Sequence, residues 1–81
     1  MPPQEVKNYI AKRPFMPFRL HLSDGSKFDV LDPMAAYVDM LHIEVGVGFD
    51  EETGLYRRSI WLAPNHITQI EPLPDAVKSA G

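Results

Sequence analysis

The sequence predicts a mainly β domain: one short N-terminal helix, then about five strands in a strongly bent sheet that closes into a small barrel. Three observations predict it. Apolar and polar residues alternate through Phe18-Arg19-Leu20-His21-Leu22, through Lys27-Phe28-Asp29-Val30 and from Ile43 to Phe49, the period of a half-buried strand. Short turn signals, Asp24-Gly25 above all, separate these runs. Helical spacing is confined to the first dozen residues. Five strands in an open sheet would leave edges exposed, which bending and closure reduce.

Pro2-Pro3 opens the helix, since proline tolerates the first turn. Val6, Tyr9, Ile10 and Arg13 follow helical spacing, and Pro14 ends the element because the residue before a proline disfavours the helical region. Two to three turns are marginal alone, so the helix must lie against the sheet. Arg13 to Phe18, with prolines at 14 and 17, reads as a stiff connector in which Phe15 acts as a plug.

The hairpin Phe18–Val30 organises the rest of the chain. A two-residue loop would set Leu22 beside Lys27 and Leu20 beside Asp29. A three-residue loop, Ser23-Asp24-Gly25, pairs Leu22 with Ser26, Leu20 with Phe28 and Phe18 with Val30. Opposed residues share a face, so only the second register buries the large apolar side chains together. It requires Gly25 in the left-handed region and sets Arg19 opposite Asp29.

Leu31-Asp32-Pro33 interrupts the alternation with a bend, bulge or edge, and a strand resumes near Ala36 to Met40; a helical turn over Pro33 to Tyr37 is the alternative. From Leu41 to Phe49, Ile43, Val45, Val47 and Phe49 face one way, and His42, Glu44, Gly46 and Gly48 the other. The alternate glycines suit a bent strand or a close backbone contact. Asp50 to Gly54 is a turn, and Leu55 to Leu62 the next strand, with Tyr56, Ile60 and Leu62 on one face and Trp61 on the opposite one. Ala63-Pro64-Asn65-His66 is a tight reversal. Ile67 and Ile70 in the last strand need a twist or bulge to share a core. Residues 3–73 form one domain and residues 74–81 a frayed tail.

At 81 residues and 44% hydrophobic content, the chain has room for one modest core. Cysteine is absent, which removes disulfides and thiolate chemistry and fits a reducing compartment. The longest apolar run, Met34 to Val38, is far too short to span a membrane, and no apolar signal core opens the chain; a cytoplasmic protein with no membrane partner is expected. The net charge of −3 is uneven. Residues 1–30 hold five basic and three acidic side chains, whereas residues 31–81 hold three basic and eight acidic ones. Only a weak basic footprint for nucleic acid exists, at the N-terminal end.

The short helix followed by Phe18-Arg19-Leu20-His21-Leu22-Ser23-Asp24-Gly25 resembles the opening of Sm-like proteins. Ser59-Ile60-Trp61-Leu62-Ala63-Pro64-Asn65-His66-Ile67-Thr68-Gln69-Ile70-Glu71-Pro72 resembles their second motif, and its last eight residues are similar to the Lys-His turn and final strand of the bacterial RNA-chaperone branch. The chain also resembles a set of small uncharacterised bacterial proteins that open with Arg13-Pro14-Phe15-Met16-Pro17-Phe18 and Leu20-His21-Leu22-Ser23-Asp24-Gly25. The resemblance covers about residues 3–73. It implies an Sm-like or SH3-like barrel and a homo-oligomer closed by strand-edge pairing, here between Tyr56–Leu62 and Ile67–Ile70. Tyr56, Ile60, Trp61, Leu62, Ile67 and Ile70 are the expected interface residues. Where RNA-binding Sm proteins carry an Asp and a Met-Asn pair, this chain reads Tyr37-Val38-Asp39-Met40; where they carry Arg-Gly, it reads Ala63-Pro64-Asn65.

The expected function is a non-catalytic binding or assembly module of unknown ligand, with an unknown protein partner admitted. An RNA-binding ring is the alternative, using His66, Asn65, Arg57, Arg58 and Tyr37. His66 matches the histidine of the Lys-His pair, while Asn65 replaces its lysine. No cofactor is expected. His21, His42 and His66 fit no local metal-ligand spacing, Asp50-Glu51-Glu52 reads as a solvated hairpin tip, and none of Ser23, Ser26, Ser59 or Ser79 sits in a nucleophile elbow, so no enzyme is expected.

Overall fold

The computed structural model describes residues 1–74; the expected tail, from residue 75 onward, lies outside the described residues. Helix α1 (Pro3–Ala11) precedes strands β1 (Phe18–Leu22), β2 (Lys27–Val30), β3 (Ala36–Val38), β4 (Ile43–Asp50), β5 (Leu55–Leu62) and β6 (Ile67–Pro72). Single 3-10 turns, Pro33–Ala35 and Pro64–His66, lead into β3 and β6.

The first hairpin adopts the register that buries its apolar residues. Phe18 lies opposite Val30, Arg19 opposite Asp29 and Leu20 opposite Phe28. Gly25 has φ 91°, which a Cβ would strain. The Asp24 carboxylate accepts the Ser26 N–H at 2.9 Å, and this bond with the Ser26 hydroxyl holds its pKa below the usual carboxylate range. Arg19 and Asp29 form a two-pronged ion pair at 2.7 and 3.1 Å.

Among the described residues six strands form where about five were expected, and they make two antiparallel three-stranded sheets, ordered β2-β1-β6 and β3-β4-β5. No closed barrel exists among the described residues. β2 and β3 are separated by a turn. Asp32 caps a 3-10 turn by accepting the Met34 N–H at 2.7 Å, and Pro33 has no N–H to give to a ladder. The turn separates β2 from β3, and the two strands belong to different sheets. The alternatives of a helical turn and a resumed strand both occur, in succession.

The final strand carries the expected bulge. Leu20 opposes Ile70 and Leu22 opposes Ile67, while the register shifts so that Thr68 is left over. Its hydroxyl donates to the His21 carbonyl at 3.2 Å. Between the sheets lie Phe18, Leu20, Val30, Ala35, Ile43, Val45, Leu62 and Ile67, and α1 contributes Val6. Tyr9 and Phe15 pack their rings on Phe18, at centroid distances of 5.4 and 6.2 Å, so helix and connector close the same end. Among the described residues, no helix is long and apolar enough to cross a membrane.

Candidate interaction surface

Because Ile43 and Val45 enter the core, alternation turns Glu44 to the outer face of the β3-β4-β5 sheet. Pairing then sets three side chains in a row across that face: Tyr37 opposite Glu44, and Glu44 opposite Trp61. Both aromatic residues are open to solvent, Tyr37 at 59% and Trp61 at 68% exposure. The ring of His42 lies between them, stacked on Trp61 at 4.4 Å with a 17° interplanar angle, and 6.1 Å from Tyr37. Asp39 fixes His42 in place. One carboxylate oxygen accepts the N–H groups of Leu41 and His42, each at 2.8 Å, and the other lies 3.1 Å from His42 Nδ1. The backbone N–H of His42, then that of Leu41, holds the Asp39 pKa below the usual carboxylate range.

The residues expected to bind RNA are dispersed on the protomer. Asn65 and His66 are exposed on the 3-10 turn before β6, with His66 Nδ1 3.4 Å from the Ser23 hydroxyl. Arg57 reaches toward Asp50, 3.9 Å away, and Arg58 is exposed opposite Val47. Arg57 and Arg58 lie five and four strand steps from Leu62, roughly 16 and 13 Å at the rise of a β-strand, so neither arginine joins His66. Tyr37 belongs to the aromatic row.

The expected interface residues also divide. Leu62 and Ile67 are buried in the protomer's own core, and Tyr56, Ile60 and Ile70 are half-buried against it. Of the six, Trp61 alone is exposed. What β5 and β6 offer a neighbour is backbone: each ends its sheet with one edge unpaired among the described strands.

Two further polar groups are committed locally. His21 Nε2 lies 2.8 Å from Glu71, and Asp50 caps its own turn by accepting the Glu52 N–H at 2.9 Å. No group of three or more His, Asp or Glu gathers into a metal site among the described residues. The Ser23–His66 approach is long for a hydrogen bond to a nucleophile, and the nearby Asp24 carboxylate is spent on its own turn. An open groove of about 1050 Å³ runs between β2 and the β4–β5 hairpin, lined by Phe28, Val47, Phe49 and Tyr56 among others. Burial there, and then the charge of Asp32, push the Tyr56 hydroxyl pKa up.

No known family model, curated protein or solved structure matches the chain. The sequence reading missed His42 and Glu44 as site residues. Their common face was legible, but the signal that joins them to Tyr37 and Trp61 is the register of three strands.

Proposed function

We propose that the chain is a non-catalytic binding and assembly module of the cytoplasm, whose protomers join by pairing β5 of one with β6 of the next. The observation that carries this reading is that β5 and β6, two of the four strands that end a sheet with an edge unpaired among the described strands, lie on different sheets. Such a contact is heterologous and builds a ring when its rotation closes. An unpaired edge is also a standing template for another strand, so covering it removes a liability. The Sm-like path is supported by β6 lying against β1, which brings the last strand to the first. Light scattering over a micromolar concentration series tests it: a discrete oligomer is expected, and a monomer at high micromolar concentration overturns it.

An RNA-binding ring is the second reading. It is favoured by the position of Asn65 and His66, exposed on the turn that enters β6. Pairing through β6 would repeat both around one rim.

A further inference from the structure

We infer that the groove between β2 and the β4–β5 hairpin receives an extended segment of a partner protein, which adds as a strand to a bare stretch of the β4 edge. β4 runs from Ile43 to Asp50, but β3 covers only Ile43, Glu44 and Val45. Beyond Val45 it pairs with β5 alone, and Gly46 to Phe49 have no other backbone partner among the described residues. The chain parts from β4 at Ala35, where the Asp32-capped turn joins β3 to β2. Burial is lost at the same point. Of the alternate side chains of β4, Ile43 and Val45 are buried, Val47 is half-buried and Phe49 is 54% exposed. β2 lines the opposite wall with Phe28, followed by the exposed Leu31, and it pairs with β1 alone. The core face of β4 thus runs out of cover where its edge runs out of partners.

These two features fix the chemistry of the occupant. A row of unpaired N–H and C=O groups is satisfied by another extended backbone. Side chains alternate along a strand, so every second residue of that segment would lie on Phe28, Val47 and Phe49 and the others would meet water. The rim selects no ion. Arg19 and Asp29 neutralise each other there, and Lys27, Asp32 and Glu51, which take no part in the ion pairs of the described residues, are of mixed sign. Phosphate finds no basic footprint in the groove. A folded second copy fits poorly, because each of its described strands is already paired in a sheet and would carry its neighbours against the β2 wall. The occupant is instead a segment that becomes ordered on binding. Gly46 to Asp50 span about 17 Å at the rise of a strand, which a short peptide covers. The contact uses neither the β5 nor the β6 edge, so it stands or falls apart from the assembly reading.

The probe is the blocked heptapeptide Lys-Val-Thr-Val-Thr-Val-Lys, whose valines favour a strand and whose threonines suit its wet face. Two controls carry backbone N-methyl groups, one on the valines and one on the threonines. Each removes the N–H groups along one edge and leaves the side chains in place. Titrated into isotope-labelled protein, the parent peptide should shift the amide resonances of Gly46 to Asp50 saturably and slow their deuterium exchange. At least one methylated control should bind more weakly, by about fivefold for each hydrogen bond removed. Phe49→Ser, which takes away apolar wall but no backbone group, should weaken binding about three- to tenfold. Equal affinity for all three peptides, an affinity unchanged by Phe49→Ser, shifts confined to residues outside the groove, or no binding overturns the inference. So does self-association that moves the same amides without peptide, which would assign the groove to a second copy.

Discussion

Alanine at Gly46 tests the packing at the bend of β4. A Cβ there would sit 2.6 Å from Cγ of Tyr56, and 2.7 and 2.9 Å from its two Cδ atoms. Carbon atoms in contact prefer about 3.5–4.0 Å, so the ring would have to retreat by about 1 Å. It has little freedom to do so. Cγ is the root of the ring, one bond from Cβ, and Phe49 packs against the ring edge at 5.2 Å. Overpacking of this kind costs about 1–3 kcal/mol. Gly46 is not among the glycines with positive φ, so backbone strain adds nothing and alanine alone would stabilise by about 0.4–1 kcal/mol through the unfolded chain. The net expectation is a loss of about 1–2 kcal/mol, or a Tm lower by roughly 4–16 °C for a domain of this size. Urea unfolding of Gly46→Ala, Tyr56→Ala and the double variant separates the terms. In the Tyr56→Ala background the Gly46→Ala penalty should vanish or change sign. An equal penalty in both backgrounds refutes the steric argument.

Gly25→Ala should cost on the order of 1 kcal/mol for the opposite reason, a left-handed φ with nothing within 4 Å of the added Cβ; a neutral result in urea unfolding would contradict the hairpin geometry. The lowered pKa of Asp39 means that its contribution to stability is present above the ordinary carboxylate pKa and is lost as pH falls through the folded value. Asp39→Asn should therefore flatten the acid limb of a plot of urea midpoint against pH, and an unchanged limb counts against the capping role. For RNA, oligouridine titrations at two salt concentrations should show no binding by the parent protein. Binding with a log–log salt slope of about 0.7 per phosphate, abolished by His66→Ala and strengthened by Asn65→Lys, would instead establish the ring reading.

Local order was legible wherever burial alone sets it. The parity of Leu20, Leu22, Phe28 and Val30 decided the loop length, because a slip of one residue would have turned core side chains to water. The spacing of Ile67 and Ile70 required a bulge, and Thr68 is its extra residue. The alternate glycines signalled a close contact, which Tyr56 makes with Gly46. The two-sheet division was not legible. Alternation says which face of a strand is wet, but whether a bend breaks a ladder is decided by a few local bonds. Here the Asp32 carboxylate and the missing N–H of Pro33 decide it.

The aromatic row shows why a surface site is harder to read than a core. Each core residue is announced by its own apolar character, and errors of pairing between strands still leave it buried. Tyr37, Glu44 and Trp61 are announced by nothing singly, since each is an ordinary outward residue of its strand. They meet because the turn Asp39–His42 sets Tyr37 against Glu44 and the Asp50–Leu55 hairpin sets Glu44 against Trp61. Lengthening either turn by one residue would move one ring to the core face and leave the carboxylate with a single aromatic neighbour. The cap that Asp39 places on His42 and Leu41 holds the first of these turns at its length, and the Asp50 cap on Glu52 holds the second. Asp50, which reads from sequence as part of a solvated hairpin tip, and Asp39 are thus what fixes the spacing of the row.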